Sequence, residues 1–274
     1  MNPRAKFPER FNPVFLAPGP QNEVGSQSEG EIANIFIWGD IGGWWGVYAS
    51  DVYDALKGKS LDKIKVYIAS GGGSVFEAFA MFDLLKGHSA EVEVYIFSLA
   101  GSAATLVASA GDRIYISKQA VYMIHYGAVP LFGYYRVDEL QKEATILSKY
   151  NNRIVDLYTS NNRAGLSEEE LRPLLEAETW FEPEEALAAG FVDEVVDFVE
   201  VPFDQSNLSK SEFEDFFYDH TAAGALSAMK GKVSKIAAST LLPSRIIKQL
   251  NKTKMSFGKQ VAQWAQKLGL KMQN

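Results

Sequence analysis

Residues 64–85 read IKVYIASGGGSVFEAFAMFDLL, and three kinds of segment follow one another within them. IKVYIA (64–69) is β-branched and, apart from Lys65, apolar enough for a buried strand. It runs straight into Ser70-Gly71-Gly72-Gly73, a glycine turn. Val75, Ala78, Phe79, Phe82 and Leu85 then recur at helical spacing and form one apolar face. Residues 92–110 repeat the plan: VEVYIF (92–97), a small-residue turn at Leu99 to Ser102, and an alanine-rich helix to about Ala110.

The same reading extends in both directions. Upstream, IANIFIW (32–38) is a strand, Gly39 to Gly46 a glycine-rich loop holding Trp44 and Trp45, and 51–58 a short helix. Downstream, strands are expected around Arg113 to Ile116 and Val121 to His125. A long helix over about 136–159 carries Leu140, Ala144, Leu147, Asn151, Ile154 and Tyr158 on one stripe. Ser167 with Glu170 forms a capping box, Pro183 suits a first helical turn, and FVDEVV (191–196) closes the series as a strand. Strands alternating with helices between 32 and 196 predict an α/β architecture with parallel pairing. Five of the ten prolines lie within residues 1–20, so 1–30 reads as an irregular arm, 31–200 as the principal domain and 201–274 as a C-terminal extension.

Composition removes several function classes. The 274 residues include no cysteine, which excludes disulfides, thiolate metal sites and a cysteine nucleophile. Only His88, His125 and His220 are available as imidazoles, so neither a metal nor a cofactor is expected. No window of about 18 apolar residues occurs and no apolar run follows a basic start, so neither export nor membrane spanning is expected, and the expected location is the cytoplasm. The net charge of −7 is unevenly spread: residues 220–274 hold ten Lys/Arg and no Asp/Glu, leaving 17 bases against 34 acids in 1–219. In that basic tail Phe257, Val261, Trp264 and Leu268 form an amphipathic stripe, suited to a partner or scaffold, to an anionic surface, or to the chain's own acidic body.

Three residues invite chemistry. Ser102 follows a buried strand and opens a helix whose early residues are small; free backbone N–H groups there favour a developing oxyanion, while simple helix capping is the competing role. His125 ends the apolar strand VYMIH where it leaves the core, and Glu178 lies between two helices. Together they make the generalised nucleophile, base and acid. Glycines at 71–73 let backbone N–H groups approach a ligand. No phosphate-binding G-x-x-x-x-G-K-[ST] and no G-x-G-x-x-G is present, and G-x-S-x-G fails because positions 100 and 104 are alanine.

Four segments, 64–85, 92–112, MIH at 123–125 and ETWFEPEEALAAGFVDEV at 178–195, resemble the ClpP-like serine peptidase family, most closely its phage and prophage head maturation branch. The resemblance spans about 32–197. It implies the ClpP/crotonase-like superhelix of repeated ββα units with 136–159 as a projecting handle helix. It further implies Ser102 as nucleophile, His125 as base, Glu178 as orienting acid, and Gly72 or Gly73 with Ala103 as oxyanion-hole donors. The implied function is a serine endopeptidase cleaving phage head, scaffold or other polypeptides. The implied partners are a homo-oligomeric ring, heptameric or stacked, capsid or scaffold proteins, and an unfoldase ATPase. Two departures stand out: the family's Ile-Asn-Ser-Pro-Gly-Gly is Ile68-Ala69-Ser70-Gly71-Gly72-Gly73, and its usual Asp is Glu178. A catalytically inactive ring-forming scaffold and a crotonase-type acyl-CoA enzyme are the alternatives.

Overall fold

The structure is a computed structural model and describes residues 14–15, 32–43, 46–201 and 243–245. Its centre is a parallel sheet of β2 (Ile32–Ile41), β3 (Lys63–Gly73), β4 (Glu91–Gly101), β5 (Arg113–Ser117) and β8 (Glu194–Val196). The two-residue β1 (Val14–Phe15) adds antiparallel to the β2 edge, so the arm expected to be irregular contributes one short strand. The parallel pairs β2–β3, β3–β4 and β4–β5 are bridged by α1 (Ala49–Leu56), α2 (Val75–Lys86) and α3 (Ala103–Ala108). Parallel neighbours need such crossovers, which explains why strand and helix alternate along the chain.

Both sheet faces are apolar, each in its own way. Ile35, Ile37, Val66, Ile68, Val94, Ile96, Ile114 and Ile116 belong to the main core with residues of α1, α2 and α3. The alternate positions Phe36, Tyr67, Tyr95 and Tyr115 are register partners across four strands and stack at 5.2, 5.2 and 4.9 Å between centroids. Cross-strand aromatic pairs of this kind stabilise a sheet. Val199 and Val201, beyond β8, pack on the Phe36, Trp38 and Tyr67 cluster of that face.

Several boundaries differ from the sequence reading, mostly for one reason. Strand β3 continues through Gly73 and β4 through Gly101, so the expected glycine and small-residue turns are strand ends. Gly72 and Gly73 pair with Asp40 and Ile41 of β2, and Leu99 to Gly101 pair with the strand at 121–124, so main-chain pairing carries both strands on whatever the local preference. Likewise β2 extends to Ile41 and absorbs Gly39, α1 begins at Ala49 rather than 51, and α3 stops at Ala108. Phe191 and Val192 are buried but lie before β8, which covers only Glu194–Val196. Trp44, Trp45 and the stripe at 257–268 lie outside the described residues.

The remaining elements are β6 (Val121–Ile124), α4 (Val137–Asn161), α5 (Glu168–Glu176), β7 (Thr179–Phe181) and α6 (Pro183–Ala188). The capping box of Ser167 and Glu170 forms, with both reciprocal hydrogen bonds present. Helix α4 is buried only in its last turns, at Ile154, Val155, Leu157 and Tyr158; Val137 and Leu140 near its start are exposed. None of the described helices is long and apolar enough to cross a membrane.

Candidate active site

Strand β4 changes partner along its length, and the site lies where it does so. Glu93 to Ile96 pair with β5, whereas Leu99 to Gly101 pair with β6. On its other side the register against β3 slips between Ile68↔Ile96 and Ser70↔Ala100, so β4 takes up extra residues where it bends away. Strand β6 pairs antiparallel with β7, Ile124 opposite Thr179. Ser102, His125 and Glu178 each stand one residue beyond the end of one of these ladders, and three distant parts of the chain therefore meet at one corner of the sheet.

Ser102 occupies the N-cap position of α3, yet its side chain makes no capping hydrogen bond. Its Oγ lies 2.6 Å from His125 Nε2 instead. The hydroxyl is thus turned toward the imidazole and not toward the first turn of α3. The backbone at Ser102 has φ 51° and ψ −124°, outside the usual regions for a residue with a Cβ. Glu178, at φ 50°, is the other non-glycine residue with positive φ among those described. Strain concentrated at two members of one cluster is the pattern of a site whose surroundings over-determine it.

Glu178 Oε2 lies 4.0 Å from His125 Nδ1, within electrostatic reach but too long for a direct hydrogen bond. Its other oxygen accepts from Trp180 Nε1 at 3.4 Å. Burial lowers the His125 pKa below its ordinary value, and the nearby Glu178 carboxylate opposes that shift without cancelling it. The imidazole is therefore neutral at neutral pH, the form able to take a proton from a hydroxyl.

The glycine segment is held closely against this corner. Ser70, fully buried, donates through Oγ to Gly39 O at 2.6 Å and accepts from Gly72 N–H at 3.1 Å. Gly72 has φ 100°, and a Cβ on it would lie 2.7 Å from Gly101 O and 2.8 Å from both Ala103 N and Ser102 Cβ. Only glycine lets β3 approach the Ser102 backbone so nearly. Ala103 is the first residue of α3, so its N–H has no acceptor within the helix.

Residues 54–198, about half of the chain, match the family model described as Clp protease. This chain belongs to the Clp protease family. The ATP-dependent Clp protease proteolytic subunit of Streptococcus pyogenes serotype M5 (strain Manfredo) is 29% identical over 136 residues, 49% of this chain and 68% of the relative. The protein of the same description from Streptococcus equi subsp. equi (strain 4047) matches to the same extent. Among solved structures, a point mutant of ClpP1 from Listeria monocytogenes superimposes with a TM-score of 0.52 over 60% of this chain and 91% of that one, at 24% identity, a likeness of fold. The mixed α/β sheet with its parallel core is thus the ClpP fold, and the protein is a ClpP-like serine endopeptidase.

Within this Clp protease the structure brings Ser102, His125, Glu178, Gly72, Gly73 and Ala103 into one neighbourhood. It also adds residues that the sequence reading passed over. Ser70 buttresses the glycines, Asn151 Oδ1 of α4 accepts from Gly127 N–H just beyond His125 at 2.9 Å, and Trp180 contacts Glu178. Asn151 stood out in the sequence only as a polar residue on an apolar stripe, and Ser70 carried no signal of its own.

Proposed function

We propose that the protein cleaves polypeptides through an acyl-enzyme on Ser102, with His125 as general base and Glu178 as the orienting acid. The observation that carries this reading is the 2.6 Å approach of Ser102 Oγ to His125 Nε2. Ser102 Oγ attacks the scissile carbonyl carbon while its proton passes to Nε2. Collapse of the tetrahedral intermediate expels the amine, which takes that proton, and water then releases the acyl group by the reverse roles. Since Nε2 accepts from Ser102, the imidazole proton resides on Nδ1 and faces the Glu178 carboxylate, which stabilises the imidazolium once it forms. Gly72 N–H already donates to Ser70 Oγ, so the oxyanion donors are the N–H groups of Gly73 and Ala103.

The functional unit on this reading is the domain 31–200, with 1–30 and the basic 201–274 as appendages. The streptococcal relatives are proteolytic subunits of an ATP-dependent protease, and the same relationship is proposed here: a homo-oligomeric ring with an unfoldase as partner. Exposed Phe132, Tyr134 and Val137, at the approach to and start of α4, offer apolar surface for contact between subunits. The sequence resemblance to the head maturation branch adds capsid or scaffold polypeptides as substrates.

A fluorophosphonate probe tests the assignment. The wild-type protein should be labelled at Ser102, and Ser102→Ala should lose both labelling and about 10⁴-fold or more of peptide turnover. Persistent labelling of the alanine variant would overturn the assignment, and thioester turnover without labelling would favour the crotonase-type alternative.

A further inference from the structure

Ser102 keeps its unusual backbone conformation because both of its peptide groups are held. Its N–H donates to Met123 O at 2.9 Å, which ties it to β6. Its carbonyl accepts twice from Thr105, from the backbone N–H at 3.0 Å and from the side-chain Oγ1. Thr105 is completely buried, and its Oγ1 lies 2.5 Å from the hydroxyl of Tyr158, in the last turns of α4. Proton bookkeeping orients this chain. A carbonyl only accepts, so the single Thr105 hydroxyl proton points to Ser102 O, and the phenolic proton of Tyr158 must point to Thr105 Oγ1. The result is a directed relay, Tyr158 O–H to Thr105 O–H to Ser102 O=C, in which each bond polarises the next. Tyr158 is itself fixed: it is 2% exposed, and its ring stands edge-on to Phe191 at 5.8 Å.

We infer that Thr105 and Tyr158 are positioning residues, which set the peptide plane of Ser102, and with it the direction of Oγ toward His125, through a buried hydrogen-bond chain anchored in α4. The inference rests on the reading of Ser102 as nucleophile. A hydroxyl at 105 is not needed for the helix, since Ser102 O already accepts the Thr105 N–H, and threonine is a mediocre helix former. Its function is to hold a carbonyl that belongs to a strained residue. Tyr158 makes this hold depend on the seating of α4, whose far end is exposed.

The test uses five variants of the full chain, Ser102→Ala among them, each followed by the rate of fluorophosphonate labelling and by kcat and KM on a peptide. Thr105→Val keeps the branched shape and removes the hydroxyl; labelling and kcat should fall about 10- to 100-fold, because displacements of under 1 Å at a reacting atom cost that much, while KM stays within about twofold. Thr105→Ser restores the hydroxyl and should recover most of the rate. Tyr158→Phe should cost about three- to tenfold alone and under about twofold on top of Thr105→Val, because the phenol acts through Thr105. A role confined to stability would lower the melting temperature without this split or this non-additivity. If Ser102→Ala abolishes labelling but Thr105→Val and Tyr158→Phe both react within twofold of wild type, the positioning role is refuted and the nucleophile assignment stands. If Ser102→Ala is still labelled, the nucleophile assignment falls and takes the positioning role with it. Should Thr105→Val fail to fold, Tyr158→Phe decides the matter alone, an unchanged labelling rate refuting the relay.

Discussion

Gly72→Ala is the perturbation whose outcome follows most directly from the geometry. A methyl group there would sit 2.7 Å from Gly101 O and 2.8 Å from Ala103 N and Ser102 Cβ, about 0.6 Å inside ordinary contact. All three obstacles belong to backbone or to a Cβ, so no side chain can swing aside. The φ of 100° adds a strain of about 1–3 kcal/mol for any L-residue. Relief requires β3 and the Ser102 turn to separate by roughly half an ångström, which moves Oγ relative to His125 and Ala103 N–H relative to Gly73 N–H. Misplacement on that scale predicts a fall in kcat of about 10- to 100-fold, with a stability loss of about 1–3 kcal/mol. Gly71→Ala is the internal control: a Cβ at Gly71 meets nothing nearer than Leu99 Cδ2 at 4.0 Å, and its activity should stay within about twofold of wild type. The assay is the labelling rate at Ser102 together with peptide kcat, and a denaturant melt on the same samples. Gly72→Ala labelling within twofold of wild type, or Gly71→Ala failing equally, would refute the close-approach argument.

Three further predictions concern charge. Burial lowers the His125 pKa and the Glu178 carboxylate raises it, so the acid limb of kcat/KM should lie below pH 6.5; Glu178→Gln should move it lower still while reducing kcat, and a limb moving upward would contradict the assigned roles. The same depressed pKa means that the unfolded chain binds this proton more readily, so His125 contributes stability that is lost as pH falls through that window, and His125→Gln should flatten this part of the stability profile. In the basic extension, Arg245 grips Glu170 at 2.6 and 3.2 Å and the carbonyls of Ala164 and Gly165 at 3.0 and 3.2 Å. Arg245→Glu should therefore speed limited proteolysis beyond residue 201 by about fivefold, in line with an exposed but multiply bonded ion pair, and Glu170→Arg on top of it should restore part of the protection. Unchanged proteolysis would show that this contact does not hold the extension.

Much of the site was legible in one dimension. Ser102 and His125 announced themselves by position, each where an apolar run ends, and the glycines at 71–73 by density. Glu178 was the weakest of the three, since a glutamate between two helices carries no local signal and gained weight only beside a serine and a histidine and through the family resemblance. The two positive-φ residues were invisible, because neither serine nor glutamate advertises that conformation; it is imposed by the strands that end beside them. Thr105 and Tyr158 were hidden for a related reason. One looked like a small residue in a small-residue helix, the other like the last apolar position of a stripe, and 53 residues separate their hydroxyls along the chain.

What the order of residues settled alone was local: near-continuous apolar, β-branched runs that had to be buried strands, helical stripes between them, and hence parallel pairing with crossovers. Such patterns act over a few residues and survive without knowledge of neighbours. Tertiary structure decided how far each strand continued, because pairing with a neighbouring strand carries the chain on through its glycines. It also decided that β4 exchanges β5 for β6 at its end. That exchange is a matter of which strand lies beside which, and it alone brings an alcohol, an imidazole and a carboxylate from three separate stretches to a single corner.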